Sequence, residues 1–333
     1  MAEGLPPVAE LLESAAVVRL SMRTRFRGLA VRETMIFRGP AGWAEFGPFV
    51  EYADDEAATW LAAGIEAAYL GAPAALRGEV PVNATVPAVG AEEVAGILAR
   101  YPGATTAKVK VAEPGQTLDD DVARVAAARS TVPRVRIDAN GGWTVAEAIR
   151  SIRAIGDVEY AEQPCATVEE LAEVRRAVDV PIAADESIRK ADDPHRVVAA
   201  EAADVAIIKV APLGGMRSTL ELADTIGLPV VVSSALDSAV GIAAGVAAAA
   251  ALPVLGHACG LGTGALFTAD VTDGFVPVDG VVTPRWFGPA DIDARRVPVA
   301  EPDRDRWWRE RLHRCHAVLA ARGSTPAWAG HPG

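Results

Sequence analysis

The sequence predicts an α/β chain of the TIM-type (β/α) barrel class, carrying an α+β capping domain formed by its N-terminal part and its C-terminal tail. Three observations predict it. From residue 82 onward, short apolar runs rich in Val, Ile or Ala alternate with stretches of helical patterning. The spacing from one run to the next is one βα unit each time. Ionisable residues stand at the ends of five successive runs: Lys108 with Lys110, then Asp138, Glu162, Asp185 and Lys209. In a barrel of this class the C-terminal strand ends are where chemistry is done.

Taken in order, residues 6–14 read as an irregular lead-in, and 15–22 and 29–37 alternate as two antiparallel strands. The expected connection, Arg23-Thr24-Arg25-Phe26-Arg27-Gly28, is basic in an acidic protein. It reads either as a solvated hairpin loop or as a flap over an anionic substrate, with Arg25 and Arg27 as substrate contacts. Residues 39–47 add a turn-rich segment to the same sheet, and 54–70 read as a helix with Ala58, Leu61, Ile65 and Ala68 on one face.

Barrel strands are expected at 82–86, 106–111, 134–138, 158–162, 182–185, 205–209 and 230–233, with an eighth near 254–258. Helices are expected at 91–100, 119–129, 145–155, 168–177, 194–200, 214–226 and 239–250. A glycine-rich loop, 260–264, follows, and the tail from 282 carries Trp307, Trp308 and helical patterning to 321. The expected division is a cap over 1–80, a catalytic barrel over 81–284, and a tail over 285–333 that completes the cap.

Composition narrows the function. A chain of 333 residues suits one barrel with additions, and 50% hydrophobic content allows a large core. A net charge of −12 speaks against nucleic acid or an anionic membrane as partner. Cys165, Cys259 and Cys315 are odd in number and show no metal-binding spacing, which fits a reducing cytoplasm. No signal peptide is read at the N-terminus. The apolar stretch 239–256 is rich in Ala and Gly and is interrupted by Pro253, so it reads as a packed barrel helix.

Side chains alternate faces along a strand, so Lys108 and Lys110 share a face, as do Arg136 and Asp138. Strands two and six of eight lie opposite one another. The result is an arc of an amine, three carboxylates and a facing amine. Three carboxylates at one mouth repel unless a hard cation sits among them, and all-oxygen ligands point to Mg²⁺, with Mn²⁺ able to substitute. The chemistry this set can do is proton abstraction beside a carboxylate, the cation stabilising the enediolate. A lysine base crowded by Lys108, Arg136 and the cation has its pKa brought from about 10.4 toward roughly 7–8.

Each piece alone is weak: a K-x-K on a strand is usually two solvated lysines, and D-A-N or E-Q-P is a common turn. Order and spacing carry the signal. Ser233 and Ser234 end strand seven and are candidate donors to a substrate anion; otherwise they are a plain polar strand end. Gly262, within 260–264, is a place for backbone to approach a ligand. His257 reads as a core or structural residue, and the other histidines share no metal-ligand spacing. Cys165 has no His or Asn partner by sequence.

K-V-K at 108–110, D-A-N at 138–140, E-Q-P at 162–164, A-D-E-S at 184–187 and Lys209 together resemble the enolase superfamily, in its muconate-lactonizing subgroup. Its sites use Lys or His bases with Mg²⁺. Within the subgroup, K-V-K-V-A-E-P-G-Q, R-I-D-A-N-G-G-W and S-S-A-L-D-S-A-V-G-I are most similar to the o-succinylbenzoate synthase family of actinobacterial type. The resemblance implies that Asp138, Glu162 and Asp185 bind Mg²⁺, and that Lys110 is the base and then the acid. It also implies that Lys209 is a cation beside the substrate, and that Lys108 and Arg136 are supporting. The implied reaction is a syn-dehydration giving o-succinylbenzoate for menaquinone synthesis. The same residues would serve an N-acylamino acid or dipeptide racemase or epimerase, or a cycloisomerase. A metal-free Schiff-base aldolase on Lys209 or Lys110 is disfavoured by the three carboxylates, and a non-enzymatic barrel by the complete set. The cap is shorter than the subgroup's usual and its flap is rich in arginine, and substrate choice is partly set there.

Overall fold

The computed structural model describes residues 4–26, 28–188, 193–288 and 290–323. Two kinds of strand build two kinds of sheet. After helix α1 (Val8–Glu13), the long strands β1 (Ala16–Phe26) and β2 (Leu29–Gly39) pair antiparallel, and β3 (Gly42–Phe46) joins β2. Both faces of the sheet are partly covered: Val17, Val18, Leu20, Met35, Ile36, Phe37 and Phe46 are all buried. Helix α1 stands where an irregular lead-in was expected. It is six residues long with one buried side chain, Leu11, too little for a periodic signal.

The expected connection 23–28 is mostly strand. Strand β1 continues through Phe26, which pairs with Leu29, and Gly28 takes the positive φ of 76° that the tight return requires. The alternation simply runs on: Arg23 and Arg25 are exposed while Phe26 is buried.

Helix α2 (Asp54–Leu70) packs on this sheet, and β4 (Val80–Pro81) leads into the second sheet. That sheet is parallel, each strand followed by a helix. Strand β5 (Ala84–Val86) precedes α3 (Val94–Leu98), β6 (Thr106–Lys110) precedes α4 (Leu118–Arg129), and β7 (Arg134–Asp138) precedes α5 (Val145–Ile155). Then come β8 (Ala161–Glu162) with α6 (Val168–Ala177), and β9 (Ile182–Ala184) with α7 (Asp193–Ala199). The last are β10 (Val205–Ile208) with α8 (Met216–Thr225), and β11 (Val230–Val232) with α9 (Ala239–Ala251). The sheet order is β11-β10-β9-β8-β7-β6-β5, a curled parallel sheet in chain order. Helices α4, α5 and α6 each open on a reciprocal capping box, from Thr117 with Asp120, Thr144 with Glu147, and Thr167 with Glu170.

The eighth strand expected at 254–258 is absent. Pro253 and Gly256 break that segment and Val254 is 77% exposed. The pairing falls instead to Cys259 and Gly260. Cys259 N–H donates to Pro81 O (2.7 Å) and Asn83 N–H to Cys259 O (2.9 Å), while Gly260 N–H donates to Val232 O (2.8 Å) and Ser234 N–H to Gly260 O (3.1 Å). These two residues thus bridge both edges of the sheet, beside Val82 and Ser233.

Strand β12 (Val281–Val282) pairs with β4, and helix α10 (Pro302–Ala321) lies against α2. Trp308 fixes α10 to the antiparallel sheet through Glu33 (3.2 Å) and an edge contact with Phe46 at 5.9 Å. Arg311 reaches Phe49 O and Tyr52 O, and Arg314 pairs with Asp54 at 2.6 Å. Among the described residues no helix is long and apolar enough to cross a membrane.

Candidate active site

The site is built by register. Lys110 pairs with Asp138 and Asp138 with Glu162 across β6, β7 and β8, so these side chains stand abreast at the C-terminal ends of the strands. Asp185 follows β9 and Lys209 follows β10. All five are nine-tenths or more buried. Lys108 Nζ donates to Glu162 Oε1 (2.6 Å) and lies 3.0 Å from Asp138 Oδ2. Lys110 Nζ donates to Asp138 Oδ2 and, at 2.5 Å, to Asn140 Oδ1. Lys209 Nζ reaches both oxygens of Asp185 at 2.6 Å. The arc expected from the sequence is therefore assembled.

Its electrostatics are uneven. Burial opposes the charge of Asp138, but Lys108 and Lys110 outweigh it and hold the carboxyl well below the usual range. Burial and then the charge of Asp138 push Glu162 the other way, up to about 8. Burial disfavours the Lys108 ammonium, yet Asp138 and Glu162 keep it well above its ordinary value.

The carboxylates point at amines as they stand: among the described residues no three acidic, His or Cys groups gather closely enough to hold one ion. The donor chemistry nevertheless fits a hard divalent cation. The candidate ligands are all carboxylate oxygens, and Glu162 Oε2 is buried without any protein partner. A cation there would satisfy that oxygen and relieve the repulsion that raises Glu162.

A narrow cavity of ≈ 30 Å³ opens on this arc, lined also by Ser233, Ser234, Leu236 and Thr263. Ser234 and Thr263 hydroxyls are 2.6 Å apart. Larger surface grooves exist, including one of ≈ 610 Å³ beside Arg23 and Phe267, but it contains none of the arc residues.

Other expected residues lie elsewhere. Arg136 sits beneath the mouth, donating to Glu159 (2.7 Å), Asn83 and Ala258 O and stacked 4.6 Å from the Tyr160 ring centroid. His257 shares Glu159 at 2.9 Å, in keeping with a structural role. Gly262 does not line the cavity; a Cβ there would meet Asn83 O at 2.9 Å and Tyr101 at 3.0 Å, so its smallness serves packing. Arg25 is exposed and donates to Gly28 O (2.9 Å), outside the cavity wall. Arg27 lies outside the described residues.

Three site residues escaped the sequence reading. Asn140 holds Lys110 and takes φ 46°, a conformation Asn tolerates, so the third letter of D-A-N was the available signal. Phe26 lies 5.3 Å from Lys110 Nζ at the end of β1. Thr85 lines the cavity with its hydroxyl buried and unpartnered by protein.

Comparison with known proteins agrees with this geometry. Residues 91–289 match the family described as enolase C-terminal domain-like, and residues 17–68 the family described as enolase N-terminal domain-like. The chain is 60% identical over 324 residues to the o-succinylbenzoate synthase of Mycolicibacterium smegmatis, covering 96% of this chain and 100% of that protein. It is 57% identical over 325 residues to the o-succinylbenzoate synthase of Mycobacterium ulcerans, covering 97% and 99%. Among solved structures, muconate lactonizing enzyme from Pseudomonas putida superposes with a TM-score of 0.70 at 21% identity, over 85% of this chain and 98% of that one. The L-Ala-D/L-Glu epimerase from Bacillus subtilis gives 0.71 at 21%, over 86% and 98%. The chain belongs to the enolase superfamily.

Proposed function

We propose that the protein is an o-succinylbenzoate synthase, a lyase that removes water from 2-succinyl-6-hydroxy-2,4-cyclohexadiene-1-carboxylate in menaquinone biosynthesis. The observation that carries this reading is the near full-length identity to enzymes of that name, at 57–60%. The buried amine–carboxylate arc is the chemistry such a reaction needs.

Asp138 and Asn140 fix Lys110 Nζ at one side of the cavity. There Lys110 Nζ takes the proton α to the substrate carboxylate. It then delivers that proton to the hydroxide departing from the same face, so C–H and C–O bonds break, water leaves and the ring becomes aromatic. Lys209, held by Asp185, keeps a positive charge beside the delocalised anion. Lys108 stays an ammonium and balances Asp138 and Glu162. Asp138, Glu162 and Asp185 would hold Mg²⁺, with Mn²⁺ able to substitute. When bound, the ion supplies positive charge at the substrate carboxylate, where the second negative charge grows. Phe26, whose ring centroid is 5.3 Å from Lys110 Nζ, lines the same cavity beside the reacting atoms.

On this reading the curled sheet, closed by Cys259 and Gly260, works as a complete (β/α) barrel over 81–284. The described residues of 1–80 and of 285–333 form its cap. The substrate is a small carboxylate, and the enzyme acts in the cytoplasm.

The test is turnover by the purified protein with Mg²⁺, against the cyclohexadiene carboxylate and a panel of N-acylamino acids. Formation of o-succinylbenzoate supports the reading. Racemisation of the panel without dehydration would replace it with the racemase.

A further inference from the structure

The antiparallel sheet and α2 meet the parallel sheet through two carboxylates, Glu66 buried and Glu45 half-buried, each seated at the N-terminus of a helix. Glu66 of α2 accepts from Met216 N–H (3.0 Å) and Arg217 N–H (3.1 Å) at the start of α8. Gly215, with no Cβ, leaves the space its carboxylate occupies. Glu45 of β3 accepts from Ser238 N–H (2.9 Å), the Ser238 hydroxyl and Gly241 N–H (3.2 Å) at the start of α9. Its other oxygen accepts from the Thr34 hydroxyl at 2.9 Å. Gly47 and Gly241 lie against it, where a Cβ would come within 2.7 and 2.9 Å of its oxygens.

The two seats differ in what they hold. Of the loop before α8, residues 209–215, only Lys209 lines the cavity. The loop before α9, residues 233–238, is the cavity wall: Ser233, Ser234, Ala235 and Leu236 all line it. Leu236 sits at φ 60°, a conformation a leucine takes only when held. What holds it is Arg32 of β2, 3% exposed, whose guanidinium donates to Leu236 O (3.3 Å) and to Gly47 O. Asp237 ties the same loop from within, accepting from Ala235 N–H at 3.0 Å.

We infer that Arg32 and Glu45 are positioning residues for substrate binding: anchored in the antiparallel sheet, they set the shape of the wall that Ser233, Ser234 and Leu236 present to the substrate. The inference rests on the proposed function for its kinetic arm only. Neither residue touches the cavity, so both act through the loop.

The test compares wild type with Arg32→Lys, Glu45→Ala, Glu45→Gln and Glu66→Ala. Steady-state kcat and KM are measured, together with amide exchange across 233–241 at a temperature where circular dichroism shows each protein folded. Arg32→Lys keeps the charge but loses the fork that spans Gly47 O and Leu236 O. Losing such bonds should raise KM about 5–10-fold in Arg32→Lys and Glu45→Ala, with the smaller change in kcat and faster exchange over 233–238. Burial and then Asp237 push Glu45 up to about 7, so its uncharged form is tolerated, and Glu45→Gln should stay within about threefold of wild type. Glu66→Ala should melt earlier yet keep the wild-type KM and the wild-type exchange over 233–238.

If Glu45→Ala does not fold, Arg32→Lys decides. The inference is overturned if Arg32→Lys leaves either KM or exchange at wild type, or if Glu66→Ala raises KM as much. Failure of wild type itself to form o-succinylbenzoate counts against the proposed function, and the exchange comparison then decides whether the two residues hold the loop.

Discussion

Two layers of buried charge lie in the same parallel sheet, two residues apart along β7. At the mouth, Asp138 stands with Glu162, Asp185, Lys108, Lys110 and Lys209; beneath it, Arg136 stands with Glu159, His257 and Tyr160. The lower layer is balanced in charge, although its Arg136 Nη2 is also buried without a protein partner. Burial opposes the charge of Glu159, but His257 and Arg136 outweigh it and bring it down to about 2. The upper layer is not: Glu162 is pushed up by burial and by Asp138, and one of its oxygens has no protein partner. A balanced buried pair holds structure together, whereas an arc with unrelieved repulsion and a cavity beside it is poised to bind something.

Substitutions in the two layers should act differently. In the upper layer, Asp138→Ala, Glu162→Ala and Asp185→Ala should each lower kcat by about 10³-fold or more and weaken Mg²⁺ binding in calorimetry. Excess EDTA should stop the wild type, and Mg²⁺ or Mn²⁺ should restore it; full activity in EDTA rules out the cation. Lys209→Ala should be inactive, and Lys209→Arg should keep at most a trace, since only the charge is retained.

In the lower layer the sign reverses: stability suffers and chemistry does not. Glu159→Gln should lower Tm by about 3–8 °C at neutral pH while turnover at 25 °C changes less than about threefold. The pH dependence follows from the depressed carboxyl. Because Glu159 titrates lower in the folded protein than in the unfolded chain, its stabilisation is complete above its ordinary pKa. It is lost as pH falls from about 4.5 to about 2. The Glu159→Gln variant should lack that part of the acid-unfolding slope, and an identical slope in the two proteins would remove Glu159 from the ledger.

Effects smaller than those at the carboxylates and Lys209 are expected at the edge of the mouth. Phe26 covers Lys110 and Arg25 bonds its own turn. Phe26→Ala should therefore raise KM by about tenfold and Arg25→Ala by less than about twofold, read in steady-state assays at low salt. The reverse order would restore the arginine flap.

The mouth was legible in the sequence because strand alternation and βα spacing both act locally, and five ionisable groups in phase are hard to reach otherwise. The T-x-x-D/E signatures at Thr117, Thr144 and Thr167 mark three helix starts in the same local way. The eighth strand position was not legible, because Cys259 and Gly260 reach both sheet edges with two residues, fewer than any pattern needs. Arg136 shares the alternation of Asp138, so the sequence could not say that it serves the layer below. The Arg32–Leu236 bond joins positions 204 residues apart, and no local rule foretells it.

If the upper layer reacts, Lys110 is its base. The most direct test is dehydration by Lys110→Arg and Lys110→Ala, with circular dichroism and Tm as folding controls. A guanidinium cannot give up its proton near neutral pH, so both variants should fold, keep Mg²⁺ binding and form essentially no o-succinylbenzoate. Near-normal dehydration by folded Lys110→Ala would assign the base to the other face of the cavity and contradict the account.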